Sequence, residues 1–336
     1  NGAKQEGVAY TQRTIHKGRR VSTAGAFLRP AMKRRNLTVR TNAHTTSIIF
    51  DGKRAIGVRY SKGGRHGLAA EVRANREVIL CGGVVNSPQL LQLSGVGPAE
   101  LLGAHGIPVL HDLKGVGENL RDHYTPRFTA RVKNSDSINE RARGVRLLGE
   151  IVNWFTTRKG ILSLSPTLIY CFWRSDETVK NNDIQLTFTP ASYKEGVQSD
   201  LDDEPGMTIT AWQQRPDSTG YLRIQSADPF DAPIIQPNYL DLESDRRVLL
   251  AGMKLARRLF RTEPLSPYFE REIFPGPDVG SDQELLDAAR ARGTTTFHPM
   301  GTCRMAPPTD PTAVVDDQLR VYGVEGLRVV DASIMP

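Results

Sequence analysis

The 336 residues, 39% of them hydrophobic, predict a soluble globular protein that is long enough for two domains with buried cores. Their 44 basic and 37 acidic residues give a net charge of +7 without aromatic–basic interleaving, which argues against nucleic-acid binding. Basic clusters at residues 17–20 and 33–35 leave open a peripheral association with the inner face of an anionic membrane.

The cysteine content and the hydropathy bear on the cellular compartment and on membrane spans. Cys81, Cys171 and Cys303 are odd in number and lack metal-ligand spacing, so we expect neither a disulfide framework nor a metal site. A reducing, cytoplasmic compartment is the simpler interpretation. No membrane span is expected, because the apolar run at residues 161–173 is too short to cross a bilayer.

After a weakly specified opening, the chain predicts an antiparallel meander. Residues 37–41, 45–50 and 55–60 are rich in β-branched and aromatic side chains, and the dipeptide DG between the last two is a hairpin signal. A further strand is expected at residues 68–73.

A strand, a glycine turn and a helix come next. The apolar run at residues 76–81 predicts a strand buried on both faces, and Gly82 with Gly83 permits close approach of a ligand or of backbone. Ser87 as N-cap and Pro88 at the first helical position predict a helix start whose N terminus would favour an anionic ligand. This unit is typical of nucleotide-binding sheets, although a packing turn without ligand is at least as common.

Residues 121–296 predict a second domain inserted into the first. Apolar residues at helical spacing mark residues 145–155, and alternating patterns at residues 184–188, 207–212 and 220–225 predict one largely antiparallel sheet. A later helix begins at Ser244, and its apolar face carries Leu249, Met253, Ala256 and Phe260.

The chain returns to the first domain at residues 297–336, with strands expected at residues 313–316 and 327–331. The predicted fold class is α/β with mixed α+β character. A nucleotide-type sheet domain spans residues 1–120 and 297–336, and the inserted domain at residues 121–296 has an antiparallel sheet and helices.

The candidate chemistry lies in the polar run at residues 294–305, which contains His298. A neutral imidazole accepts a proton near pH 7, because its unperturbed pKa lies just below that value. The alternative is a loop histidine hydrogen-bonded to backbone, which is the expectation for an isolated histidine.

Several runs resemble signatures of the glucose–methanol–choline (GMC) flavoprotein oxidoreductases. They are GVVNSPQLLQLSGVG at residues 83–97, GVGENLRDH at 115–123, FHPMGTCRM at 297–305 and VVDAS at 329–333. Val84 stands where the family prefers a small residue, and Arg121 stands where it has Gln. The choline-dehydrogenase-like alcohol dehydrogenases are the most similar group, and the resemblance extends across essentially the whole chain.

The resemblance implies a FAD-binding domain and a substrate domain over the isoalloxazine ring. His298 matches the catalytic histidine, which receives the proton of a small-molecule alcohol while the carbinol hydride passes to flavin N5, giving an aldehyde or ketone. Oxygen or a quinone-type carrier is the implied electron acceptor. The positions implied to bind FAD are Thr45, Cys81, Gly82, Gly83, Asp331 and Ala332.

Two parts of the family pattern are absent from this sequence. They are the GxGxxG run that holds the FAD pyrophosphate, and the second catalytic residue, which follows the position of Pro336 in relatives. We therefore expect a chain truncated at both ends, and the alternative function is a flavin-free fragment that acts as a binding or structural module. The rings that would serve either a quaternary-ammonium site or the core are Tyr170, Phe172, Trp173, Phe188 and Trp212.

Overall fold

The computed structural model describes residues 4–165, 167–194 and 200–336, which form two compact units. In chain order, their strands are β1 (Gly7–Tyr10), β2 (Ile15–His16), β3 (Arg19–Arg20), β4 (Ala43–Asp51), β5 (Arg54–Lys62), β6 (Leu68–Arg73), β7 (Val78–Leu80), β8 (Val96–Gly97), β9 (His111–Asp112), β10 (Tyr124–Thr125), β11 (Arg127–Val132), β12 (Ile169–Trp173), β13 (Ile184–Thr189), β14 (Gly206–Gln213), β15 (Tyr221–Arg223), β16 (Ile234–Gln236), β17 (Phe269–Phe274), β18 (Thr294–Thr295) and β19 (Leu327–Val329). The α-helices are α1 (Arg29–Ala31), α2 (Gly83–Leu93), α3 (Ala99–Ala104), α4 (Ile138–Arg141), α5 (Gly144–Thr157), α6 (Glu243–Phe260) and α7 (Asp282–Arg292). Short π and 3₁₀ turns lie at Ala24–Leu28, Ile161–Ser163 and Ala332–Ile334.

The six-stranded unit contains residues up to 38 together with residues 123–215 and 242–296. Its sheet has the order β1-β12-β13-β14-β11-β17, and all neighbouring pairs are antiparallel. Helix α6 packs on one face of this sheet. Gly252 permits that contact, because a Cβ there would already lie 3.3 Å from side-chain atoms of Ala211 and Ile184.

The parallel-pair unit contains residues 39–122, 216–241 and 297–336. At its centre β7 and β19 run parallel, with Val78 opposite Leu327 and Leu80 opposite Val329. The meander β4-β5-β6 and helix α2 pack around this pair. The antiparallel sheet of one unit and the strand–helix arrangement of the other confirm the predicted mixed fold class.

The unit boundaries differ from the predicted domain boundaries at two places. Residues up to 38 belong to the six-stranded unit, because β1 pairs with β12 at the edge of its sheet. Residues 216–241 belong to the parallel-pair unit, because β15 pairs with β16 and packs on α2. The pattern at residues 220–225 is thus a strand, but it does not continue the six-stranded sheet.

The meander follows its sequence pattern closely. Strands β4, β5 and β6 contain the predicted segments, and the hairpin turn lies at Gly52, whose φ is +53°. The strands predicted at residues 37–41 and 313–316 are wrong, because neither segment is part of a sheet. Val315 forms isolated β-bridges but no strand.

Helix α5 forms where the apolar spacing predicts it, but one side of the helix is open. Val145, Leu148, Val152 and Phe155 are 61–84% exposed. The helix packs through its other side, where Trp154 Nε1 donates to the Gly18 carbonyl at 2.8 Å. In the described part of the chain, no helix combines the length and the apolar character needed to cross a bilayer.

Phe128 tests the core of the six-stranded unit. This β11 side chain is fully buried and packs edge-on against Phe274, with ring centroids 6.5 Å apart. Phe128→Ala should lower the free energy of unfolding in urea by about 3–5 kcal/mol, because the vacated volume cannot be refilled. Phe128→Leu leaves a smaller cavity and should lose less than half as much. A loss below about 1 kcal/mol for the alanine variant would contradict this packing.

Candidate functional site

The Asp331 carboxylate joins the end of β19 to the start of α2. Its Oδ2 accepts hydrogen bonds from the Gly83 amide at 3.0 Å and from the Ser87 hydroxyl at 2.6 Å, and its Oδ1 accepts from the Ser333 amide at 2.8 Å. Free amides and the helix dipole favour a negative charge at a helix N terminus. The protein's own carboxylate therefore takes the position that the sequence assigned to an anionic ligand.

Helix α2 begins one turn earlier than its predicted start. Gly83 is the first helical residue, with a φ of +77°, a value that glycine adopts without steric cost. Ser87 is not the N-cap, since its hydroxyl lies within the helix and accepts from the Gly82 amide at 3.0 Å. Pro88 lies inside the helix and cannot donate to the Val84 carbonyl.

The missing donor is supplied by the segment that contains His298. The Thr302 hydroxyl donates to the Val84 carbonyl at 2.7 Å, and Thr302 is fully buried. A buried carbonyl without a donor would cost free energy, so the hydroxyl compensates for the proline. Thr302 is a structural residue that the sequence interpretation missed, although it stands inside the FHPMGTCRM run.

A cavity of about 560 Å³ opens beside these turns, within the parallel-pair unit. Its volume lies in the range of small-molecule sites, roughly 300–1,000 Å³. The structure brings Thr45, Cys81 and Gly82 of the predicted cofactor site to its wall. Gly83 and Asp331 are not lining residues but are hydrogen-bonded to each other beside it, and Ala332 follows Asp331. The wall also includes His44, Ile79, Asn86, Ser87, Gln89 and Pro229.

The lining combines polar backbone groups with apolar side chains. Strand β4 has a bulge between Thr45 and Ser47, and a bulge takes backbone groups out of the ladder where they can meet a ligand. Ile79 is 50% exposed rather than buried on both faces as predicted, and it gives the cavity an apolar wall. Gly82 packs closely on the first turn of α2, since a Cβ there would lie 3.1 Å from Asn86 and Ser87.

The Cys81 thiol adds to the neutral character of this wall. Burial, reinforced by the Asp331 carboxylate, raises the pKa of Cys81 above its usual value. The thiol therefore stays protonated at neutral pH and acts as a weakly polar surface.

In the described part of the chain, no group of three His, Cys, Asp or Glu side chains is arranged to hold a metal ion.

His298 is exposed and is anchored through its backbone. Its amide donates to Asp122 Oδ1 at 2.9 Å, and Asp122 Oδ2 accepts from the Tyr239 hydroxyl at 2.5 Å. The preceding Phe297 has a φ of +59°, a rare conformation for a bulky residue that the surrounding structure must enforce. Asp122 was also missed by sequence reasoning, and its signal was its place in the GVGENLRDH run.

The segment after His298 connects the other runs of the sequence pattern. Met300 and Arg121 exchange backbone hydrogen bonds of 2.9 and 3.1 Å, and the Gly301 amide donates to the Ala332 carbonyl at 3.3 Å. The Cys303 amide donates to the Ser333 carbonyl at 2.8 Å. His298 does not line the cavity, but its segment is bonded to the one that carries Asp331 and Ala332.

The five candidate substrate rings divide between the two faces of the six-stranded sheet. Phe172 and Trp212 both lie opposite Gln185 and therefore share its face, and Tyr170 lies on that face two residues from Phe172. Trp173 and Phe188 lie on the other face, which packs against α6. The five rings therefore cannot surround a single cation.

Comparison with known proteins gives consistent matches over this chain. Two family models described as GMC oxidoreductase match residues 1–125 and 216–336. Human mitochondrial choline dehydrogenase is 40% identical over 336 residues, which are 100% of this chain and 56% of that protein. A Pseudomonas putida alcohol dehydrogenase [acceptor] is 39% identical over 337 residues, 100% of this chain and 60% of that protein.

Solved structures with a similar fold also match this chain. A variant of Aspergillus oryzae formate oxidase, solved to examine FAD modification, superimposes with a TM-score of 0.87 at 26% identity. The match covers 99% of this chain and 62% of that one. The chain thus spans little more than half the length of the proteins it resembles.

Substitution of Gly301 tests the close contact between the run at residues 297–305 and the run at residues 115–123. Its φ is +90°, and a Cβ there would lie 2.5 Å from the Asn119 carbonyl oxygen. Gly301→Ala should therefore lower the free energy of unfolding by about 1–3 kcal/mol in urea titrations. The matched control is Gly103→Ala in α3, where no atom lies within 4 Å of the added Cβ, and it should be neutral or stabilise by up to about 1 kcal/mol. Equal effects of the two substitutions would refute the close approach at Gly301.

Proposed function

Because the chain belongs to the GMC oxidoreductase family, we propose that it carries the reaction centre of a FAD-dependent alcohol oxidoreductase. The family and the cofactor predicted from the sequence, GMC oxidoreductase and FAD, are confirmed. The observation that best supports the proposed reaction is the bonding of the His298 segment to Ala332 and Ser333, directly after Asp331. One unit thus contains both a cavity of about 560 Å³ and an exposed imidazole.

Cofactor binding is proposed to use the residues around the cavity. Thr45, Cys81 and Gly82 would hold the adenosine, and Gly83 with Asp331 and Ala332 would hold the adjoining part of the molecule. Asp331 acts mainly through the fold, since it accepts hydrogen bonds from Gly83 and Ser87 and so fixes the turn beside the cofactor. Bound FAD supplies an isoalloxazine ring whose N5 accepts the carbinol hydride.

His298 is the proposed proton acceptor. The neutral imidazole takes the hydroxyl proton of the substrate, and the electron pair left on oxygen forms the carbonyl bond as the carbinol hydride departs. The product is an aldehyde or ketone. Asp122 positions this base by accepting a hydrogen bond from the His298 amide. The strained Phe297 backbone sets the direction in which the His298 side chain projects.

The substrate is proposed to be a small-molecule alcohol, in keeping with the choline and alcohol dehydrogenases that the chain resembles. The six-stranded unit is the proposed substrate-binding domain. Oxygen or a quinone-type carrier is the proposed electron acceptor. A cytoplasmic location, with or without contact with the inner face of a membrane, stays a prediction.

Replacement of His298 tests the proton-transfer step. His298→Gln in the complete enzyme should lower kcat about 10²–10⁴-fold, because the amide cannot accept the substrate proton. FAD content, read from the visible absorbance, should stay at the wild-type level. His105→Gln, at the end of α3, is the matched control and should keep wild-type turnover. Turnover of the His298 variant above half the wild-type value would eliminate the proposed role.

Cys81 reports on the occupancy of the cavity. It is the exposed cysteine of the three, whereas Cys171 and Cys303 are buried. Bound FAD should slow alkylation of Cys81 by iodoacetamide at least several-fold at pH 9, as followed by mass spectrometry. Because its pKa is raised, the unprotected thiol should react at pH 7 more slowly than free cysteine.

The control for this experiment is Cys81→Ser, which should show little alkylation with or without FAD. If the Cys81 rate were the same with and without a saturating concentration of FAD, the cavity would not be the adenosine site. The flavin-free binding or structural module would then be the better interpretation of this chain.

A further inference from the structure

The cavity wall also contains an imidazole ring, besides the residues of the predicted cofactor site. His44 of β4 lines the cavity, and the Phe230 ring stacks on its imidazole with centroids 4.5 Å apart and planes inclined by 20°. His44 Nε2 lies 3.0 Å from the Pro229 carbonyl oxygen. Since a carbonyl oxygen only accepts, Nε2 is the protonated nitrogen in this contact. The hydrogen bond and the stack together fix the plane of the imidazole.

Contacts from two distant segments hold the loop that carries Phe230. Arg65, in the turn between β5 and β6, lies over the Phe230 ring at 5.5 Å from its centroid. Its guanidinium donates to Asp231 at 2.9 Å and to Asp228. Gln89 of α2 donates to the Asp231 carbonyl at 2.9 Å. The loop is thus tied to the meander and to α2, two of the elements that form the cavity wall.

We propose that the His44 imidazole is the stacking surface for the adenine of FAD, and that Phe230 and Arg65 are positioning residues that hold this ring in place. The inference rests on the proposed function, because it requires FAD in the cavity. Purine bases stack on aromatic side chains with little regard to hydrogen-bonding pattern. A ring that is already fixed by a stack and a hydrogen bond loses little freedom when the base binds, which favours affinity.

The arrangement assigns different tasks to neighbouring residues. The backbone at Thr45 can read the polar edge of the adenine, whereas the ring of His44 can contact its face. Phe230 does not line the cavity, so it acts on the ligand only through His44. Arg65 is one step further away and acts through Phe230 and the two aspartates. The expected effect on FAD affinity is therefore smaller for Arg65 than for His44 or Phe230.

The test measures FAD affinity of the apoprotein, prepared from the complete enzyme, by flavin fluorescence. His44→Ala and Phe230→Ala should each raise the dissociation constant of FAD roughly tenfold, in line with stacking energies of bases on aromatic side chains. AMP, which carries the adenine without the flavin, should compete with FAD in the wild type, and its inhibition constant should rise by the same factor in both variants. Arg65→Ala should give a smaller increase.

Two variants separate positioning from a general structural effect. Phe230→Tyr keeps the ring and should restore wild-type affinity. Arg59→Ala removes a comparable exposed ion pair, to Glu71 at 2.8 Å on the same meander, and should leave FAD affinity unchanged.

The possible results distinguish the two proposals. A wild-type apoprotein that does not bind FAD would overturn the proposed function and this inference together. A wild type that binds FAD, with His44→Ala and Phe230→Ala within twofold of it, would overturn the inference alone. The same conclusion would follow if Phe230→Tyr bound FAD as weakly as Phe230→Ala.

Discussion

The Asp331 carboxylate is the interaction on which the parallel-pair unit depends. It accepts hydrogen bonds from Gly83 and Ser87, which precede it by 248 and 244 residues. One carboxylate thus accepts from the first amide of α2 and from the Ser87 hydroxyl, and it ties the chain after β19 to the start of that helix. The contact lies beside the cavity, whose wall includes Cys81, Gly82, Asn86 and Ser87.

The same unit shows how separate sequence runs compensate for one another. Pro88 leaves the Val84 carbonyl without its helical donor, and Thr302, more than two hundred residues away, supplies one. Gly301 approaches the Asn119 carbonyl more closely than any other residue would permit. Each feature would destabilise its own segment in isolation. Together they tie the chain beside His298 to the chain beside the cavity.

In this arrangement, the residues that fix the backbone are different from His298, the residue proposed to react. The Asp331 carboxylate is paired with Gly83, Ser87 and the Ser333 amide, whereas His298 is exposed and follows a residue with strained backbone. The proposed role of His298 as a base requires a fixed backbone and an accessible ring, and Asp122 fixes the backbone by accepting a hydrogen bond from the His298 amide. The proposed aromatic wall at His44 follows the same logic, since its ring is fixed from behind by Phe230.

The sequence by itself determined the features that depend on neighbours in the chain. The meander, its hairpin turn and helix α6 follow from side-chain alternation, a glycine with positive φ and helical spacing, and the predicted apolar face of α6 is buried. The motif runs likewise identified the family and located His298. Only the tertiary structure decided that α2 begins at Gly83, that residues up to 38 join the six-stranded sheet, and that Asp122 and Thr302 support the His298 segment. These outcomes depend on hydrogen bonds between residues far apart in sequence, and local patterns carry no information about which distant donor meets which acceptor.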